Sequence, residues 1–211
     1  MYDLEEQEQI DALKAWWRQH GRLILVAVVA AALAALGTAG WRYHKAQKNE
    51  QASQVFAELE KAARGSNVKQ VRELSTQLAE QYDRTVYAAL GALIVAKVEF
   101  DGGDLKASAA RLEWAAEHAG DDETRAIARL RLAGVRLDEK KYDEALKVLE
   151  QQPPEAFGSL YADLKGDVLA AQGKTAEARS AYQRALEKQP LEGLFRAIVQ
   201  VKLDGLGGAK P

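Results

Sequence analysis

The sequence predicts an all-α fold, in which a single N-terminal transmembrane helix precedes an α-solenoid made of repeated helix pairs. Three observations indicate this. Residues 23–41 contain no charged side chain, although charges are frequent elsewhere. Beyond residue 45 the chain is rich in strong helix formers, with apolar residues three and four positions apart. Turn signals interrupt these segments, and one pattern of small and large residues returns after 33 and again after 37 residues.

Composition excludes several classes of protein. The 211 residues carry 29 Lys and Arg against 31 Asp and Glu, a net charge of −2. Nucleic-acid binders usually have a strong basic excess, so we expect no nucleic-acid partner. The chain has no cysteine, which excludes disulfide scaffolds, thiol catalysis and cysteine-ligated zinc. Its mean hydropathy of −0.33 averages one apolar block with a polar remainder.

The apolar block has the length and the flanks of a membrane span. Its 19 residues lie between Arg22 and Arg42, and as a helix they would cover about 28 Å, close to the ~30 Å hydrocarbon core of a bilayer. Aromatic side chains flank it at both ends: Trp16, Trp17, Trp41 and Tyr43. Such residues favour the membrane–water interface. The sequence therefore predicts a short tail at residues 1–22 and a transmembrane helix at residues 23–41.

A retained span has two alternatives, and the sequence does not fix its orientation. A cleaved signal peptide has a basic start and a shorter apolar run, whereas residues 1–22 carry five acids against three bases. Small residues between Gly37 and Gly40 leave cleavage conceivable. A buried helix of a soluble protein would not need aromatic and basic residues at both ends. Three bases lie near each end of the span, so the positive-inside rule does not orient it.

One face of the predicted span is made of small residues. Alanine recurs every four positions at Ala27, Ala31, Ala35 and Ala39. Small residues at this spacing allow another membrane helix to approach closely. We take these four as a candidate packing face; the alternative is an alanine-rich span without a partner.

The soluble part carries an internal repeat. The clearest copy has marker residues at offsets of 3, 7, 12, 16 and 19 from the first: Gly166, Leu169, Gly173, Ala178, Tyr182 and Ala185. These are offsets of the tetratricopeptide repeat, in which small residues lie where two helices cross and large ones interlock. Weaker copies upstream place Ala145 and Leu149, and then Ser108 and Leu112, in the same slots.

These matches divide the chain after the span into three parts. Residues 42–88 form a linker helix and a divergent helical pair, and residues 89–192 form three tetratricopeptide repeats. The repeats lie at about 89–122, 126–158 and 159–192 in the sequence. Residues 193–211 form a C-terminal capping helix and tail.

The first helices of the repeats predict a binding groove. Consensus positions of these helices give nine candidate groove residues: Leu90, Leu93, Lys97, Phe100, Ile127, Leu130, Leu137, Asp163 and Asp167. Because the set combines apolar and acidic side chains, we expect it to favour apolar or cationic peptide segments over acidic tails. The alternative is that several of them belong to the core or are covered by the terminal helix.

No pattern in the sequence indicates catalysis. The three histidines, His20, His44 and His118, are isolated, and no metalloprotease, phosphate-loop, nucleophile-elbow or dinucleotide-binding motif occurs. We therefore predict that the protein is not an enzyme and has no cofactor, no catalytic residue and no metal site.

Taken in order, the segments resemble one family over nearly the whole chain. An acidic tail (YDLEEQEQIDALKAWW, residues 2–17) precedes a span that ends in GWRY (residues 40–43); YDRTVYA (82–88), LRLA (130–133) and VKLD (201–204) follow. This looks like the YfgM-like family of tetratricopeptide-repeat proteins, ancillary subunits of the SecYEG translocon in the Gram-negative inner membrane. The resemblance implies a single-pass protein with a cytoplasmic N-terminus and a periplasmic repeat domain.

The resemblance also implies partners and a role. The implied partners are the SecYEG translocon, a membrane-anchored periplasmic chaperone of the PpiD type, and unfolded client proteins. The family has no known catalytic residues. We expect a membrane-anchored protein that links protein export to periplasmic chaperones by protein–protein interaction. The alternative is a structural scaffold for envelope complex assembly that binds no client.

Overall fold

A computed structural model of the chain describes residues 2–187 and 193–207, with side chains described from residue 8 onward except at residue 12. The end of the third predicted repeat at 188–192 and the tail at 208–211 lie outside the described residues, as does residue 1. The chain divides into two compact units, Met1–Lys48 and Asn49–Pro211.

The described residues form helices and no strand. They are α1 (Tyr2–Arg64), α2 (Val68–Gln81), α3 (Val86–Asp101), α4 (Leu105–His118), α5 (Asp122–Asp138), α6 (Tyr142–Leu149), a 3₁₀ turn (Glu155–Phe157), α7 (Gly158–Ala171), α8 (Thr175–Glu187) and α9 (Leu194–Gly205). The predicted all-α fold is confirmed.

The described residues of the first unit all belong to α1, and its apolar side chains are exposed. Leu23 and Leu36 are each 70% exposed, and no residue of the most apolar window is buried. In the described part of the chain, α1 is the one helix that is long and apolar enough to cross a membrane. A contiguous apolar surface of this kind is unfavourable in water, and a bilayer would cover it.

The second unit repeats one helix–turn–helix geometry four times. A residue in the left-handed region occupies each turn: Ser66 (φ 54°), Gly103 (82°), Lys140 (61°) and Gly173 (75°). In each turn the next residue's N–H donates to the carbonyl five positions earlier, with distances of 3.0, 2.9, 2.8 and 2.9 Å. This bond closes the first helix of the pair. The pair formed by the end of α1 and α2 therefore has the same turn as the three that follow.

Aligning the four helix pairs on their turn residues also identifies equivalent core positions. Five positions after each turn residue lie Val71, Ser108, Ala145 and Ala178, each at most 1% exposed. The serine is accommodated because its hydroxyl donates to the Ala96 carbonyl at 2.8 Å. In the last pair the helices approach so closely that a Cβ on Gly166 would lie 2.4 Å from the Tyr182 ring.

Neighbouring helix pairs contact each other through their first helices, and helices that follow one another in the sequence are also in contact. Contacts join α3 to α5 and α5 to α7, in addition to those between successive helices. Between α5 and α7, the Tyr161 hydroxyl donates to the Ala126 carbonyl at 2.9 Å, and burial raises the pKa of Tyr161 to about 12. The helices α3, α5 and α7, which carry the candidate groove residues, thus form one continuous row.

Candidate functional site

The candidate membrane face is exposed over its whole length. Ala27, Ala31, Ala35 and Ala39 are all exposed. The nearby Thr38 hydroxyl donates to the Ala35 carbonyl at 2.9 Å, so this polar group is satisfied within the helix. The face is therefore free of internal packing and accessible to lipid or to another helix.

The nine candidate groove residues do not form one open surface. Leu93 is 5% exposed and Asp163 is 8% exposed, so both are buried. Leu90 and Ile127 pack against the core shared by α3, α4 and α5. Leu130 and Leu137 pack against the core shared by α5, α6 and α7. Within this row, Lys97 and Phe100 are the candidates that line an open cavity.

That cavity, which we call the α3–α5 pocket, has a volume of about 320 Å³. Its lining consists of Ala96, Lys97 and Phe100 from α3, Ser108 and Leu112 from α4, and Arg131, Gly134, Val135 and Asp138 from α5. The side chains at its floor are small or apolar and almost fully buried, whereas Phe100 is 39% exposed at its edge. An exposed aromatic ring beside an apolar cavity is typical of a binding pocket.

Charged groups at the edge of the α3–α5 pocket differ in whether they are paired. The Lys97 amine binds both carboxylate oxygens of Asp101, at 2.9 and 2.8 Å. Arg131 makes only a long bond, 3.5 Å, from its guanidinium to the Leu93 carbonyl. In the described part of the chain, neither Arg131 nor Asp138 lies within ion-pair distance of an opposite charge. At this edge of the pocket, α5 therefore offers one cation and one anion to a partner.

Arg131 and Asp138 were not among the residues selected from sequence. Their spacing of seven puts them on one side of α5, and that spacing is visible in the sequence. It carries no signal by itself, because charged residues with this spacing occur on most solvent-exposed helices. Only the packing of α3 beside α5 shows that an apolar cavity lies between the two charges.

The opposite end of the row is closed by α9. The Lys202 amine lies 3.0 and 2.9 Å from the two carboxylate oxygens of Asp163 and 2.8 Å from Asp167. The Tyr182 hydroxyl also donates to Asp167, at 2.8 Å. Both acids that were expected to attract cationic segments are therefore already bound to a cation of this chain.

Burial and pairing shift the pKa values of this cluster in ways that agree with its geometry. Burial raises the pKa of Asp163, and the bond from Lys202 only partly opposes this. Burial lowers the pKa of Lys202, but the bonds to Asp167 and Asp163 outweigh it and leave that pKa raised. The raised pKa of Lys202 agrees with its pairing to two carboxylates, at the part of the row where α9 contacts α7.

Among the described residues, no group of three or more histidine, cysteine, aspartate or glutamate side chains is placed to hold a metal ion. The arrangement offers surfaces for other macromolecules: an uncharged membrane helix and a small apolar pocket with two unpaired charges.

Comparison with known proteins agrees with this geometry. Residues 14–208 match the family described as a tetratricopeptide repeat-like domain. A protein of Neisseria gonorrhoeae named ancillary SecYEG translocon subunit is 34% identical over 96% of this chain and 98% of its own length. Proteins of the same name from Haemophilus influenzae and Escherichia coli K12 are 30% and 28% identical, over 97% and 95% of this chain. Because repeat geometry, the apolar helix and full-length similarity coincide, this chain belongs to the YfgM-like family of tetratricopeptide-repeat proteins.

Proposed function

We propose that this protein is an inner-membrane-anchored ancillary subunit of the SecYEG translocon, which links protein export to periplasmic chaperones by protein–protein interaction. The observation that carries the proposal is the similarity to proteins of that name along nearly their entire length, including the apolar helix. A binding role suits the site, which offers a docking pocket and no catalytic constellation among the described residues. One apolar helix suits a single-pass inner-membrane protein.

The proposal includes an orientation and two kinds of partner. The N-terminal tail is cytoplasmic and the repeat domain periplasmic, as the family resemblance implies. The small-residue face of α1 contacts a translocon helix, and the repeat domain contacts a membrane-anchored chaperone of the PpiD type and exported clients. Protease added to spheroplasts tests the orientation: it should remove the repeat domain, whereas protection of that domain would contradict it.

Crosslinking in native membranes tests the partners. A photo-crosslinking amino acid at Ala31 or Ala35 should capture a translocon subunit, and the same group at Leu33, which lies about 200° around the helix from Ala31, is the matched control. A crosslinker at Phe100 should capture a chaperone or a client. Equal capture from all three span positions would contradict a specific packing face, and absence of any translocon or chaperone product would overturn the proposal.

The second candidate is an envelope-assembly scaffold that binds no client. One observation favours it: α9 closes the end of the groove that contains Asp163 and Asp167. The purified soluble unit separates the two functions, because a client-binding domain should reduce aggregation of an unfolded test protein. Unchanged aggregation at a molar excess of the domain would favour the scaffold.

A further inference from the structure

Gly134 occupies a position in α5 where packing does not require glycine. A Cβ built on this residue meets no atom within 4 Å, and glycine is among the least favourable residues in a helix interior. At Gly166 the opposite holds, because the Tyr182 ring fills the space that a Cβ would need. Gly134 leaves open a cavity that almost any other side chain would fill.

The two charges of α5 at the edge of the α3–α5 pocket, Arg131 and Asp138, have no ion-pair partner among the described residues. Asp138 is the last residue of α5, where a negative charge opposes the helix dipole. Arg131 lies two turns earlier on the same side, with Gly134 between them, and seven residues of helix separate the two by about 10.5 Å. An apolar cavity with a free cation at one end and a free anion at the other is complementary to a ligand with the opposite arrangement.

From this arrangement we propose that the α3–α5 pocket binds an extended peptide segment in which an acidic and a basic residue bracket a large apolar side chain. The acid pairs with Arg131 and the base with Asp138. The apolar side chain occupies the space above Gly134. In an extended segment of polyproline II conformation the chain rises about 3.1 Å per residue with three residues per turn, so two charged residues three positions apart lie on one side of the segment and span about 9 Å. This deepens the proposed function and rests on it, since it names the kind of segment that a client or chaperone would present.

The size and charge of the pocket support a short segment over other partners. About 320 Å³ is at the lower end of ligand pockets and accommodates one or two large side chains. The pairing of Lys97 with Asp101 leaves Arg131 as the free cation of this edge, so a wholly acidic tail gains one ion pair and suffers repulsion from Asp138. A wholly basic segment gains one ion pair with Asp138 and is repelled by Arg131.

The test uses the full chain in lipid nanodiscs and fluorescein-labelled peptides in a Gly-Ser background, followed by fluorescence anisotropy. The peptide with the core Glu-Leu-Phe-Lys should bind most tightly. Cores of Glu-Leu-Phe-Glu and Lys-Leu-Phe-Lys should each bind about fivefold more weakly, since each loses one exposed ion pair. A Glu-Ser-Ser-Lys core should lose at least about tenfold, because it buries no apolar side chain. Empty nanodiscs report peptide binding to lipid.

Substitutions in the pocket should change which peptide is preferred. Arg131→Glu makes both ends acidic and should shift the preference to Lys-Leu-Phe-Lys; Asp138→Lys should shift it to Glu-Leu-Phe-Glu. A structural defect would weaken all peptides alike and would not produce these two opposite shifts. Gly134→Leu fills the cavity from an unobstructed position and should weaken every peptide at least about tenfold. Ala176→Leu, at an exposed position of α8, is the matched control and should leave binding unchanged.

Three results would overturn the inference: no binding of the Glu-Leu-Phe-Lys peptide, affinities that follow apolar content regardless of charge, or unchanged binding by the Gly134→Leu protein. Its failure is distinguishable from failure of the proposed function. Translocon and chaperone crosslinks that persist while the peptides do not bind would refute only the peptide specificity. Peptide binding without any such crosslink would refute the translocon role and leave the pocket intact.

Discussion

The contact between Lys202 and two aspartates holds α9 against the repeats, and its removal gives a quantitative test of the closed groove. Lys202→Met keeps most of the side-chain volume and removes the charge. It leaves Asp163 and Asp167 close together, with side chains only 12% and 27% exposed, and with no other cation of the described residues within ion-pair distance. Because α9 lies at the end of the array, its loss of contact can occur locally, without unfolding of the other repeats.

The size of the effect follows from how much water reaches the three groups. Breaking a fully buried ion pair costs about 3–5 kcal/mol, whereas an exposed pair contributes about 0.2–1 kcal/mol. Asp163 is nearly buried, and the other two side chains are between a quarter and a third exposed. We therefore expect Lys202→Met to destabilise the docking of α9 by about 2–3 kcal/mol. Adding Asp163→Asn and Asp167→Asn removes the stranded charges and should restore stability to within about 1 kcal/mol of the unsubstituted protein.

Hydrogen exchange of the α9 backbone amides measures this local stability. Protection should fall roughly 30- to 150-fold in the Lys202→Met protein, the equivalent of about 2–3 kcal/mol, and return in the triple variant. The cluster also predicts a pH dependence. Because the pKa of Lys202 is raised above its ordinary value of 10.5, its stabilisation is fully present below that pH and is lost as the pH rises through the folded value. Unchanged protection of the α9 amides in the Lys202→Met protein would refute the idea that Lys202 holds α9 in place. A triple variant with protection as low as that of the single variant would refute it as well.

Four further predictions concern the second unit, each checked by circular dichroism or urea unfolding. A fragment that begins at residue 49, where the compact unit begins, should be soluble and helical by itself; a coil spectrum would contradict the repeats. Lys140→Gly should stabilise this fragment by about 0.5–1 kcal/mol, since it relieves the left-handed backbone of the third turn. Asp121→Ala should destabilise the fragment by about 1 kcal/mol, because it removes the N-cap of α5. The backbone N–H of Thr124 donates to the Asp121 carboxylate and lowers its pKa. This stabilisation is therefore present above the unfolded pKa of Asp121 and is lost as the pH falls through the lower folded value. Gly166→Ala should destabilise the fragment by about 1–3 kcal/mol, because the new methyl group collides with the Tyr182 ring. Gly134→Ala should stabilise it by up to about 1 kcal/mol, because the methyl group meets no other atom. Equal effects of the two substitutions would contradict the difference in packing.

Much of the fold was predictable because the relevant information is local. The apolar helix follows from 19 consecutive residues without a charge. The repeat alignment follows from side chains within a few turns of each other, such as Gly166 and Tyr182, whose contact depends only on the geometry of one helix pair. The same alignment places the left-handed turn residues Gly103 and Gly173, at which glycine is the expected residue.

The turn residues Ser66 and Lys140 show where local information ends. Neither residue type indicates a left-handed conformation, yet both adopt it, because packing of the two flanking helices determines the turn between them. The groove shows the same limit. The consensus positions lie on the helices that form the row, but they do not separate the buried Leu93 from the exposed Phe100, since both lie on the same side of α3.

The sequence by itself determined that this protein has one membrane-length helix and a stack of helix pairs, because helix periodicity and residue size act over a few neighbouring residues. Only the tertiary structure decided which part of the stack can accept a partner. Lys202 reaches its aspartates across 39 and 35 residues of chain, and no helical period relates positions so far apart. The same packing leaves Arg131 and Asp138 without an ion-pair partner among the described residues, beside an open pocket, since whether a charge is paired depends on which helices become neighbours.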